Sequence, residues 1–145
     1  MKFTDGYWQI RQGMMPHYPC QVHETLVESD ALIVFAATKK IAGRGDTTDQ
    51  PILTIRFSAP MENVIRVQIH HDKGQLAREP HFNLSELNHL QPGITDDEES
   101  AALTSGQLSV HIQKEQEWLV EFKAGERVLT SSAWHPGEPV GRRQQ

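Results

Sequence analysis

"PILTIRFSAPMENVIRVQIHHDKG", residues 51–74, alternates apolar and polar side chains twice over, and that alternation decides the fold class. In an extended chain successive side chains point to opposite faces, so a period of two marks a strand with one buried face. "ILTIRFS" (52–58) sets Leu53, Ile55 and Phe57 against Thr54, Arg56 and Ser58. "VIRVQIH" (64–70) sets Ile65, Val67 and Ile69 on an apolar face, with Arg66, Gln68 and His70 on the polar one.

The same pattern recurs downstream. "QLSVHIQ" (107–113) aligns Leu108, Val110 and Ile112; "EWLVEFK" (117–123) aligns Trp118, Val120 and Phe122. Only the charged "KEQE" separates them, so they form a hairpin. "ALIVFAA" (31–37) is continuously apolar, which suits a strand buried on both faces or a short helix; its length and its Ile33, Val34, Phe35 centre favour the strand. "DGYWQI" (5–10), "CQVHETLV" (20–27) and "GERVLTSS" (125–132), the last after a turn at Ala124 and Gly125, complete about eight strands. Two polar connections intervene, 39–51 and 72–100. The second is too long to be featureless and is expected to hold a short helix or strand around "LSELNHL". Short strands with one buried face predict an all-β, antiparallel β-sandwich.

A chain of 145 residues fits a single domain, 1–145, which can bury about 70% of its unfolded surface without a disulfide. The net charge of −5, with 14 scattered Lys and Arg, gives no basic footprint, so nucleic acid is not an expected partner. Cys20 is the only cysteine, which excludes an intrachain disulfide and suits a reducing, cytoplasmic compartment. The N-terminus lacks an apolar signal segment, and no run approaches the roughly 20 apolar residues of a membrane helix, so no membrane partner is expected.

Motifs that could carry chemistry have plainer readings. His70 and His71 point to opposite faces of a strand and cannot both ligate one ion without a bulge, so with Asp72 they close the strand. "HETLVE" at 23 has Val27 where a zincin signature needs a second histidine. "RGD" (44–46) reads as a turn, and "TDDEES" (95–100), which lacks calcium-loop spacing, as a solvated loop. Trp118 falls in phase with the core, whereas Trp8 and Trp134 stay open as sugar-stacking platforms. Serine-nucleophile, P-loop and dinucleotide motifs are absent, so no catalytic, cofactor-binding or metal residue is assigned and no cofactor is expected.

Taken in order, "MKFTDGYWQIRQGMMPHYPCQVHE", "PILTIRFSAPMENVIRVQIHHDKG", "PHFNL" and "SGQLSVHIQKEQEWLVEFKAGERVLTSS" resemble the N-terminal β-sandwich domain of glycoside hydrolase family 31, particularly its bacterial α-xylosidases. The likeness lies in the collinear series from Met1 to about Ser132, and departs from the family near "SAWHPGEPVGRRQQ". It implies a galactose mutarotase-like sandwich preceding a (β/α)₈ catalytic barrel. The family's retaining mechanism uses two barrel aspartates in segments of the "W-x-D-x-N" or "K-T-D-F-G-E" kind. Neither segment occurs in these 145 residues, so no catalytic role transfers to any of them. The expectation is therefore a non-catalytic domain partnered by a barrel. The alternatives are a free-standing carbohydrate-binding or interaction module, and a mutarotase-like enzyme using His71 or His81. An isolated sandwich of this kind is expected to self-associate through an uncovered face or edge.

Overall fold

The computed structural model describes residue 13 and residues 15–43, 45–46, 48, 50–70 and 91–134. Nine strands run through them: β1 Gln21–Val27, β2 Ala31–Ala37, β3 Ile52–Met61, β4 Val64–His70, β5 Gly93–Asp96, β6 Ser100–Ser105, β7 Leu108–Gln113, β8 Leu119–Ala124 and β9 Arg127–Ala133. They form two antiparallel sheets, β1-β2-β3-β4 and β5-β6-β7-β8-β9, each a meander in which chain order equals strand order. No helix is present among the described residues, and none there is long and apolar enough to cross a membrane. The chain is an all-β antiparallel sandwich, as the alternation predicts.

The core lies where the inner faces meet. Leu32, Val34 and Ala36 of β2 and Leu53, Ile55, Phe57 and Ala59 of β3 pack against Ala101 and Leu103 of β6, Val110 and Ile112 of β7, Trp118, and Val120 of β8. Each fully buried large side chain contributes about 1.5–3 kcal/mol by leaving water. Strand β2 is also buried on its other face, where Ala31, Ile33 and Ala37 lie, which explains its unbroken apolar run. A backbone bridge between Gln21 and Glu117 and a 2.7 Å hydrogen bond from the Trp118 amide to the Cys20 carbonyl tie the two sheets at one end. At the other end the Thr25 hydroxyl donates to the Asp96 carboxylate at 2.9 Å.

Three expectations are corrected. The tail of the 72–100 connection is not loop: "GITD" is β5, and β6, which no alternation announced, begins at Ser100. "TDDEES" is accordingly the β5–β6 hairpin. Asp97 closes it by accepting from the Ser100 amide at 2.8 Å, the main reason its carboxyl lies below the usual range, and from the Glu99 amide at 3.0 Å. The apolar face of β4 has the predicted parity, since Val67 pairs with Phe57 and Ile69 with Ile55, yet it is not covered: Val67 is 41% and Ile69 65% exposed. The strand expected at "DGYWQI" and the element around "LSELNHL" lie outside the described residues.

Candidate functional site

The outward face of the five-stranded sheet carries a polar cluster built by strand register. Alternation on β7 turns Ser109 and His111 outward between the buried Val110 and Ile112, and the two side chains meet, Ser109 Oγ to His111 Nε2, at 3.0 Å. Across the ladder Ser109 faces Thr104 on β6 and Lys123 on β8, while His111 faces Ala102 and Glu121. Lys123 and Glu121 form an ion pair of 3.0 Å. Thr104, Ser109 and His111, with the turn residues Gly106, Gln107 and Gly125, line an open cleft of about 400 Å³. Partial burial, reinforced by the Lys123 charge, pushes the His111 pKa below its ordinary 6.5 against the opposing pull of Glu121 and Glu126, so the imidazole is neutral at pH 7.

A serine hydrogen-bonded to a neutral histidine invites comparison with an activated nucleophile, and the surroundings do not support that chemistry. An acyl-transfer site needs free donors aimed at the developing oxyanion. Two of the turn amides at the cleft are already used: Gln107 N–H donates to Asn63 Oδ1 at 2.7 Å, and Gly125 N–H to the Gln107 carbonyl at 3.2 Å. Glycoside hydrolysis needs two carboxyl groups flanking the bond. None of the residues lining this cleft is a carboxylate, and Glu121 beside it is held by Lys123. What the cleft offers is a set of neutral donors and acceptors suited to a hydroxylated ligand.

A second polar junction lies where the sheets are tied. Lys40 reaches across to Glu117 at 2.5 Å and places its ammonium 5.0 Å above the Trp134 ring. The Glu117 hydrogen bond raises the Lys40 pKa, and burial pushes the neighbouring Cys20 thiol up against the opposing Lys40 charge, which leaves that thiol protonated and unreactive. Trp134 is half-buried against the core with one ring face taken by Lys40, and Trp118 is wholly within the core. Trp8 lies outside the described residues.

The remaining sequence motifs resolve simply. His70 sits on the outer face of β4 opposite Thr54, as parity predicts; Arg44, His71, Asp72 and His81 lie outside the described residues. Asp46 of "RGD" folds back to accept from the Ala42 and Gly43 amides, both at 2.8 Å, as a turn residue does. No group of three or more His, Cys, Asp or Glu side chains that could hold a metal occurs among the described residues. The Ser109–His111 pair belongs to no sequence motif, although the i, i+2 spacing in "LSVHIQ" already places both on one face.

The chain is similar to part of two α-xylosidases. It is 30% identical over 139 residues to α-xylosidase XylQ of Lactiplantibacillus pentosus, spanning 94% of this chain and 18% of that protein. It is 31% identical over 114 residues to an α-xylosidase of Emericella nidulans, spanning 77% of this chain and 14% of that protein. The chain thus spans less than a fifth of the length of these relatives. No family model matches it.

Proposed function

We propose that this chain is the N-terminal, mutarotase-like β-sandwich of a family 31 retaining α-glycosidase of the α-xylosidase kind. Its role is to support a (β/α)₈ barrel that cleaves α-linked xylosides or glucosides in a cytoplasmic parent enzyme. The observation that carries this reading is the proportion of the match: similarity runs through 94% of this chain but accounts for 18% of the relative. The chemistry of the Ser109–His111 cleft is in keeping with it, because that cleft is lined by neutral groups and no carboxylate. Hydrolysis of aryl α-xyloside and α-glucoside by the 145-residue chain, beside a version extended through a barrel, tests the assignment. Activity confined to the longer protein supports it, and turnover by the short chain refutes it.

A second reading, a carbohydrate-binding module, is favoured by the Ser109–His111 cleft with its neutral hydrogen-bonding groups. Calorimetric titration with xylose and xylo-oligosaccharides distinguishes the two. Binding that is lost in Ser109→Ala would support the module.

A further inference from the structure

Three edge strands, β1, β4 and β9, expose apolar side chains, and one of them is built to pair with a copy of itself. Among the described residues, the four edge strands of the two sheets are β1, β4, β5 and β9. Strand β1 is interrupted by a bulge between Val22 and Glu24 and is engaged by the Gln21–Glu117 bridge and the Thr25–Asp96 bond. Strand β5 has four residues and opens on Gly93. Strand β9 is bulged opposite Phe122 and Lys123, and its centre is the polar Thr130, Ser131 and Ser132. Bulges, short length and polarity are the usual protections of a sheet edge.

Strand β4 has no bulge over its last five residues, and there its polar side chains alternate with the apolar Val67 and Ile69. Arg66–His70 run in unbroken register with Thr54–Ser58, and Val64, Val67 and Ile69 are 38%, 41% and 65% exposed. Its central segment, I-R-V-Q-I over residues 65–69, is symmetric in character about Val67. We infer that β4 is a homodimer edge, in which two copies pair antiparallel about a two-fold axis through Val67 and join their four-stranded sheets into one of eight strands. In that register Val67 meets Val67, Ile65 meets the second copy's Ile69, Arg66 meets Gln68 and Val64 meets His70. Three consecutive inward positions are then apolar on both copies, and no like charges are opposed. Directly opposed β-branched side chains are the favourable cross-strand combination, whereas a one-residue slip would set Val67 and Ile69 against Arg66 and Gln68. This inference stands apart from the glycosidase reading, since it uses only the edge geometry of the 145-residue chain.

Light scattering coupled to size exclusion, run on the whole chain over a concentration series, reads the assembly directly. The mass is expected to rise from 16.4 kDa toward twice that value as concentration increases. Val67→Lys should abolish the rise while far-UV circular dichroism stays unchanged, because the side chain is exposed in the single copy. Leu129→Lys on β9 should leave the rise intact. The axis is tested separately by Val67→Cys, which under mild oxidation should cross-link two copies through residue 67. Native Cys20, buried, does not compete. A mass of 16.4 kDa throughout, or dimers lost in Leu129→Lys and kept in Val67→Lys, overturns the inference, as does failure of Val67→Cys to cross-link where dimers are present.

Discussion

Thr25 on β1 and Asp96 on β5, 71 residues apart in sequence, are joined by a 2.9 Å hydrogen bond from the threonine hydroxyl to the carboxylate. The bond links the two sheets where their first strands approach each other, and the same Asp96 carboxylate is paired with Lys114. Thr25→Val removes the donor while keeping the β-branched shape. Because the site is open to water, the cost should be about 0.5–1 kcal/mol, read as a lower urea midpoint with unchanged slope. No change in midpoint would mean that solvent replaces the bond without loss.

Trp118 combines a core ring with a polar tie: it is 4% exposed, and its indole N–H donates to Ser132 Oγ at 3.2 Å, fastening edge strand β9. Trp118→Phe keeps most of the packing and should cost about 1–2 kcal/mol, whereas Trp118→Ala opens a cavity and should cost about 3–5 kcal/mol. Hydrogen exchange should show β9 amides losing protection in the Phe variant before the rest of the sheet does. Uniform loss across all strands would show that the indole bond has no local role.

Gly106 and Gly125 occupy equivalent hairpin turns with φ of +59° and +58°, but their surroundings differ. A Cβ at Gly106 would stand 2.3 Å from Asn63 Oδ1, the atom that accepts the Gln107 amide, while a Cβ at Gly125 meets nothing within 4 Å. Gly125→Ala therefore bears only the left-handed backbone cost, about 1 kcal/mol. Gly106→Ala adds the displacement of Asn63 and should be destabilised further by roughly another 1–2 kcal/mol. Thermal melts of the two variants side by side check the order; equal melting temperatures would contradict it.

His111 makes stability depend on pH in a defined direction. Its pKa in the fold lies below 6.5 through burial first and the Lys123 charge second, so between the folded value and 6.5 the unfolded chain binds more protons. Its contribution is intact above 6.5 and is lost as pH falls through the folded value. Urea midpoints taken from pH 7.5 to 5.5 should decline, and His111→Gln should flatten that part of the decline. Asp97, also depressed, acts on the same principle at lower pH, where the fold loses its contribution as the carboxyl protonates below 3.8. An identical slope in His111→Gln would assign the decline to other groups.

The strands that the sequence announced are those in which burial and backbone period coincide. Phe57, Val110 and Val120 alternate with polar neighbours because one face of each strand meets the opposing sheet, and "ALIVFAA" runs unbroken because β2 is buried on both faces. The strands it concealed, β5 and β6, are made of Gly, Ala, Ser and Thr with few β-branched apolar residues. Ala101 and Leu103 become core only because Ile112 and Val110 of β7 pair beside them.

Face and type of strand were therefore sequence properties, fixed by the two-residue period of an extended backbone. Coverage was not. Val67 and Ile69 share the parity of Phe57 and Ile55 and would be read as equally buried. Yet only the position of the opposing sheet decides that β3 is enclosed while β4 stays open. Register also brought Ser109, His111, Lys123 and Glu121 into one cluster, because cross-strand neighbours are set by pairing and are invisible to spacing along the chain.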